Sequence, residues 1–144
     1  MEQGQIVKIL SDTHFVNWNG NLFECKCRGK FRNAKVTPLV GDYVEFDKEK
    51  QEIEKILPRR NAFDRPLVSN IDQAFLITSV KHPDFSTNLL DKLLVVMELH
   101  HVRPIICLTK LDLLTRSERK EMKKIMHYYR KLGYRVLTNR NLWQ

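Results

Sequence analysis

Arg103-Pro-Ile-Ile-Cys-Leu-Thr-Lys-Leu-Asp-Leu113 decides how the second half of this chain is read. Ile105 to Leu108 is an unbroken apolar run behind a proline, the pattern of a strand buried on both faces of a parallel sheet. The run stops at Thr109-Lys110-Leu111-Asp112, which sets three polar side chains at the carboxyl end of that strand. In open α/β sheets that is where ligands bind.

The spacing has a chemical reading. A carboxylate can accept two parallel hydrogen bonds from adjacent donors, such as the N1–H and 2-amino group of guanine. Adenine has no such donor pair and would leave the carboxylate partly unpaired. A lysine two residues earlier can lay its aliphatic stem over a flat base, and a threonine before it can hold the loop through neighbouring backbone. Thr109, Lys110 and Asp112 are therefore candidates for a guanine-specificity loop. A solvated turn after a strand gives the same four letters, so the motif needs its context.

Outward from this stretch, the period is that of alternating strands and helices. Gln73 to Val80 reads as a buried strand. Ser86 can cap a helix running to about His101, with Leu89, Leu90, Leu93, Leu94 and Met97 on one face. Thr115-x-x-Glu118 is a capping box. The helix it opens places Met122, Ile125, Met126, Tyr129 and Leu132 at helical spacing and ends before Gly133. Tyr134 to Leu137 is a third strand. The order β-α-β-α-β implies three parallel strands joined by right-handed crossovers.

Residues 1 to about 58 read differently. Short β-rich runs occur at Gln5–Leu10, Phe15–Trp18, Leu22–Arg28, Gly41–Phe46 and Gln51–Leu57, with a strong hairpin signal at Asn19-Gly20. Alternation puts Phe23, Cys25 and Cys27 on one face and Glu24, Lys26 and Arg28 on the other. Five short strands suit a small barrel: an OB-fold, or an SH3-like barrel. Between the third and fourth strands, Lys26, Arg28, Lys30, Arg32 and Lys35 carry five positive charges with no acidic residue, and Phe31 lies among them. Cations for phosphates and an aromatic ring for a base make these six residues an RNA-binding candidate. A solvated loop with Phe31 packed on the barrel is the plainer alternative. Pro58 to Pro66, with two prolines and three arginines among nine residues, reads as a linker. The expected domains are thus 1–58, a linker at 59–66, and 67–144.

The 144 residues are 42% hydrophobic and 29% charged, the balance of an ordinary globular protein. No apolar run reaches membrane-spanning length and the N-terminus has no signal-peptide pattern, so a cytoplasmic location without membrane contact is expected. Three cysteines do not form a disulfide framework. Cys25-x-Cys27 has no histidine at ligand spacing along the chain, which weighs against a metal role. The net charge of +8 is uneven, with 12 Lys/Arg against 10 Asp/Glu in residues 1–66 and 13 against 7 in residues 67–144. Such a balance suits an anionic partner such as nucleic acid.

From about Gly4 to Val136 the chain resembles the N-terminal part of the ribosome small-subunit-dependent GTPase A family (RsgA or YjeQ), circularly permuted GTPases with an N-terminal OB-fold. The resemblance rests on Thr37-Pro-Leu-Val-Gly-Asp-Tyr-Val44, Arg65-Pro-Leu-Val-Ser-Asn-Ile-Asp-Gln73, Phe85-Ser-x-x-Leu-Leu-Asp-Lys92 and Pro104-Ile-Ile-Cys-Leu-Thr-Lys-Leu-Asp112, in family order. It implies an OB-fold of five strands followed by part of a three-layer α/β GTPase domain. It further implies guanine contact through Thr109, Lys110 and Asp112, and OB-fold contact with the RNA of the small ribosomal subunit. The implied role is slow, subunit-stimulated GTP hydrolysis late in that subunit's maturation. Asn70-Ile-Asp72 matches the family's entry into the first strand of the GTPase domain and is given a structural role.

Departures from the family pattern bound these expectations. The five glycines, Gly4, Gly20, Gly29, Gly41 and Gly133, form no Gly-x-x-x-x-Gly-Lys-Ser/Thr phosphate cradle, and no Asp-x-x-Gly magnesium motif occurs. Leu137-Thr-Asn-Arg-Asn-Leu-Trp-Gln144 stands where the family has a short Ser/Ala motif under the base, and the family's Cys/His zinc site has no counterpart. The family's Mg2+ and Zn2+ sites are therefore expected in segments outside these residues, leaving base contact with GTP or GDP. Phosphoryl transfer depends on positioned phosphates and magnesium, so these residues alone are expected to bind guanine nucleotide weakly and not to hydrolyse GTP. An uncovered apolar edge of the three-stranded sheet is expected to promote instability or aggregation. Two other readings of the sequence are a stand-alone OB-fold RNA-binding module and a truncated product without function.

Overall fold

A computed structural model describes residues 1–27, 29 and 36–139. The chain divides into two compact units, Met1–Ile71 and Asp72–Gln144.

The first unit is a closed five-stranded barrel. Its strands are β1 (Glu2–Leu10), β2 (Thr13–Trp18), β3 (Asn21–Cys27), β4 (Tyr43–Asp47) and β5 (Glu52–Ile56), in the order β1-β2-β3-β5-β4. All neighbours are antiparallel except β3 and β5, which pair in parallel at Lys26–Glu52 and Cys27–Ile53. This closure is the OB-fold arrangement and sets the SH3-like alternative aside. The Asn19-Gly20 turn joins β2 to β3 with both residues at positive φ, 51° and 81°, the geometry a tight hairpin demands. Period-2 alternation turns Ile6, Val16, Cys25, Val44, Phe46 and Ile53 inward to form the core, with Phe23 and Cys27 packed against it.

Beyond the barrel, β6 (Ala62–Asp64) and β7 (Leu67–Ser69) form an antiparallel hairpin within the same unit. The stretch expected to be a linker thus contains a strand, and the boundary between units falls at Ile71, later than expected. The cause is a buried polar hub. Asp42, wholly buried, accepts hydrogen bonds from Arg59 Nε (2.7 Å) and Nη2 (2.8 Å), Ser69 Oγ (2.6 Å) and the Leu39 amide (2.8 Å). Ser69 N donates to Val40 O at 2.9 Å, and Asn70 Nδ2 donates to Gly41 O at 3.0 Å. Gly41 has φ +100°, and a Cβ there would lie 2.0 Å from Ser69 O, so only glycine admits this approach. The Thr37–Val44 and Arg65–Gln73 sequence markers meet at this point.

The second unit runs β8 (Gln73–Ser79), α1 (Thr87–Leu99), β9 (Arg103–Thr109), a 3-10 turn (Leu111–Leu113), α2 (Arg116–Lys131) and β10 (Arg135–Thr138). The three strands are parallel, in the order β10-β9-β8. Ser86 caps α1, its hydroxyl accepting from the Leu89 amide at 3.2 Å. The capping box forms as expected: Glu118 N donates to Thr115 Oγ1 at 3.3 Å and Thr115 N to Glu118 Oε2 at 2.7 Å. Leu90 and Leu94 of α1, with Met122, Met126 and Tyr129 of α2, pack on Leu76, Ile106, Leu108 and Val136. Both helices therefore cover one face of the sheet. Two apolar residues expected in the helical stripes, Leu89 and Leu132, are instead exposed: Leu90, the next residue along α1, is buried, so Leu89 lies on the outward side of that turn, and Leu132 is the C-cap that follows the last turn of α2. On the opposite face, Phe75 and Ile77 of the edge strand β8 are also exposed.

Candidate functional site

Strand β9 carries its last ladder pair at Thr109, opposite Ser79, and Val80 N donates to Thr109 O at 3.1 Å. The chain then turns sharply. Lys110 takes the left-handed conformation (φ 61°, ψ 29°), which is unfavourable for a non-glycine residue. Surrounding contacts hold it there. Leu113 N donates to Lys110 O at 3.1 Å, and Lys110 Nζ donates to the His82 carbonyl in the loop after β8. The Thr109 hydroxyl reaches Thr78 O at 3.5 Å, the outer limit of a hydrogen bond.

Leu111 packs against the core and Leu114 is buried in it, so the two anchor the turn from both sides of Asp112. Arg119 braces the turn from α2: Nε donates to Leu114 O at 3.2 Å, and Nη2 lies 3.5 Å from Asp112 O. These contacts use Asp112's main chain. Its side chain is exposed, and among the described residues no donor reaches the carboxylate. Both lone-pair faces are open to a ligand, and a fixed main chain lowers the ordering cost of using them.

A second brace joins the loop after β8 to α2. Lys81 Nζ donates to Glu118 Oε1 at 2.7 Å. The Lys81 ammonium and the Thr115 amide lower the Glu118 carboxyl from its ordinary value to about 2. Thus the three elements around the Thr109–Asp112 turn are held by Lys81, Lys110 and Arg119. Of these braces, sequence spacing signalled only the capping box, because the rest join residues brought together by the parallel sheet.

The six RNA-binding candidates divide sharply. Lys26 is an exposed residue of β3, with its ammonium 3.9 Å from Asp12, a contact of little energetic weight. Arg28, Lys30, Phe31, Arg32 and Lys35 lie outside the described residues. The barrel also has cation–aromatic pairs the sequence did not reveal. Lys8 Nζ stands 5.2 Å from the Phe15 ring centre, and Lys48 Nζ stands 5.1 Å from that of Trp18. Trp18, Phe23 and Phe46 continue as a chain of ring contacts at 6.0 and 5.4 Å. The Lys8–Phe15 pair depends on the β1–β2 register, which shifts at a bulge between Ile6 and Lys8.

Cross-strand register also brings His14 beside the cysteines, 3.8 Å from Cys27 Sγ through Nδ1. Burial raises the Cys25 and Cys27 thiols to about 11 and lowers His14, so thiol and imidazole stay neutral near pH 7. Among the described residues, no group of three or more His, Cys, Asp or Glu could hold a metal. Nor is any described helix long and apolar enough to cross a membrane.

An OB-fold barrel followed by part of an α/β GTPase domain, with Thr-Lys-Leu-Asp at the carboxyl end of its middle strand, defines a class of multidomain GTPase fold. Two family models match the chain: the RsgA N-terminal domain over residues 3–54 and the RsgA GTPase over residues 54–142. The chain belongs to the RsgA family. The small ribosomal subunit biogenesis GTPase RsgA 2 of Oceanobacillus iheyensis is 48% identical over 139 residues, covering 94% of this chain and 47% of the relative. RsgA of Shouchella clausii is 45% identical over 140 residues, covering 95% and 48%. The crystal structure of YloQ, described as a circularly permuted GTPase, superposes with a TM-score of 0.83 at 38% identity, over 96% of this chain and 51% of that one. YjeQ from Thermotoga maritima also gives 0.83, at 32% identity, over 95% and 51%. The chain spans about half the length of the curated relatives it matches.

Proposed function

We propose that this chain provides the RNA-contacting barrel and the guanine-reading loop of a GTPase that assists assembly of the small ribosomal subunit. The observation that carries this reading is the Asp112 carboxylate, exposed and without a donor among the described residues, on a turn whose main chain is fixed by Arg119. It would accept the N1–H and 2-amino donors of guanine, while the Lys110 stem lies along the base. Lys110 must leave the His82 carbonyl to do so, exchanging one hydrogen bond for base contact.

The loop reads a base, and the sequence holds no Gly-x-x-x-x-Gly-Lys-Ser/Thr phosphate cradle to accompany it. Selectivity for guanine is therefore the chain's own contribution to nucleotide chemistry, and hydrolysis is assigned to the longer relatives. The matching test is titration of the 144-residue chain with GDP and ADP, read by amide NMR shifts at Thr109, Lys110 and Asp112. GDP should perturb these residues and ADP should not, and Asp112→Ala should abolish the difference. Equal responses to the two nucleotides would defeat the proposal.

The cation–aromatic pairs on the barrel support a second reading, in which the chain acts only as an RNA-binding module. Salt-dependent RNA binding that falls on Lys30→Ala and Arg32→Ala, with no guanine response, would favour that reading.

A further inference from the structure

Between α1 and α2 lies an open groove of about 550 Å3, lined on its walls by Val95 and Leu99 of α1 and by Tyr128 and Leu132 at the end of α2. These four side chains are 57, 72, 57 and 56% exposed, although each is apolar or aromatic. The groove runs from Asp91 to Leu99 along α1, past the last turn of α2, to Tyr134, which precedes β10. It therefore sits at the end of the sheet opposite Thr109–Asp112 and has no part in base recognition.

Its charge is the reverse of the chain's. The net charge is +8, yet the groove's formally charged lining residues are the carboxylates Asp91 and Glu98. Both are held against the wall by tyrosine hydroxyls: Tyr129 Oη donates to Asp91 Oδ1 at 2.7 Å, and Tyr134 Oη to Glu98 Oε1 at 3.3 Å. Seven residues separate the two on α1, so they lie about 10 Å apart along one face. His101 also lines the groove, and Glu98 and His101 stand at its border with an adjoining depression that holds Arg103 and Arg135.

We propose that this groove docks a basic amphipathic helix of a partner protein. The partner's apolar stripe would lie on Val95, Leu99, Tyr128 and Leu132, and Lys or Arg residues seven apart would meet Asp91 and Glu98. Helix-in-groove docking uses such apolar anchors at helical spacing, and complementary charge fixes direction and register. The chain's overall charge repels a cationic helix, so binding of this sign requires a local acidic site.

The test uses the whole 144-residue chain and two fluorescent 15-residue helical peptides. Both carry leucines at three- and four-residue spacing, with lysines at the flanking positions in one and glutamates in the other. Anisotropy should show the lysine peptide bound at least about tenfold tighter. Leu99→Ser with Tyr128→Ser should weaken it at least tenfold, and Asp91→Asn with Glu98→Gln should erase the preference. Glu98→Gln alone, at an exposed site, should halve the preference or better without touching the core. Preference for the glutamate peptide, or binding indifferent to these variants, would overturn the proposal. So would sedimentation showing that the chain self-associates through Leu99 and Tyr128, because the occupant would then be a second copy.

Discussion

Asp42→Ala is expected to be the most damaging single substitution in the first unit. The carboxylate receives four hydrogen bonds, from Arg59 Nε and Nη2, Ser69 Oγ and the Leu39 amide, all between 2.6 and 2.8 Å. Alanine removes every acceptor and leaves the Arg59 guanidinium, three-quarters buried, without its counter-charge. Breaking one partner of a buried ion pair costs about 3–5 kcal/mol. Each stranded buried donor costs about 1–3 kcal/mol on its own, so the terms overlap and do not add. For a unit of about 70 residues, a loss of about 3 kcal/mol lowers Tm by roughly 12 °C or more. Far-UV circular dichroism melts would measure the shift, and hydrogen exchange at Ser69 and Asn70 would show whether the β6–β7 hairpin detaches first. A paired Asp42→Leu, Arg59→Met change should recover part of the loss, since an apolar pair leaves no orphaned charge. The pH dependence has a fixed sign. Burial alone would raise the Asp42 carboxyl, but the Arg59, Ser69 and Leu39 hydrogen bonds outweigh it and hold it below its ordinary value. Its contribution is therefore present above the unfolded value, near pH 4, and is lost as pH falls through the folded one. A neutral-pH loss below about 4 °C, equivalent to about 1 kcal/mol, would refute the reasoning, as would a difference that persists undiminished into strong acid.

Four further outcomes are expected. If Asp112 reads guanine as proposed, Asp112→Asn should move base preference from guanine to xanthine nucleotides, because the amide would donate to the xanthine 2-oxo group where the carboxylate would accept from a 2-amino group; calorimetry with XDP and GDP would show it. Glu118→Gln should lower the melting temperature of the second unit at neutral pH by weakening the Lys81 and Thr115 contacts. Since Glu118 drops from 4.5 to about 2, that difference should be full above about pH 4.5 and fade as pH approaches 2. Phe75→Lys with Ile77→Lys should reduce concentration-dependent association, seen by light scattering, with little change in melting temperature, because both side chains are exposed on the face opposite α1 and α2. Lys30→Ala with Arg32→Ala should weaken RNA binding and reduce the salt slope by about two, roughly one unit per lost phosphate contact.

Much of the architecture was legible because it is written in short-range patterns. Alternation in Phe23, Cys25 and Cys27, the Asn19-Gly20 turn and the Thr115–Glu118 capping box all depend on neighbours within four residues, and each forms as read. The candidate guanine loop was legible for the same reason: an apolar run followed at once by Thr-Lys-Leu-Asp fixes where the strand stops. The hairpin of residues 62–69 was not legible. Its two three-residue strands have little pattern of their own. Their anchor is Asp42, whose partners Arg59 and Ser69 are 17 and 27 residues away.

The sequence by itself therefore determined the barrel-then-α/β plan, the order of the elements outside the 62–69 hairpin, and the position of Thr109, Lys110 and Asp112 at a strand's carboxyl end. Only the tertiary structure decided where the first unit ends, and that Asp112's main chain is braced while its carboxylate stays open. It alone decided that Lys8 stands over Phe15, and that the exposed apolar side chains of α1 and α2 line a groove edged with carboxylates. The physical reason is range. Backbone preference and periodicity act over one or two turns, whereas strand pairing and helix packing join residues tens of positions apart.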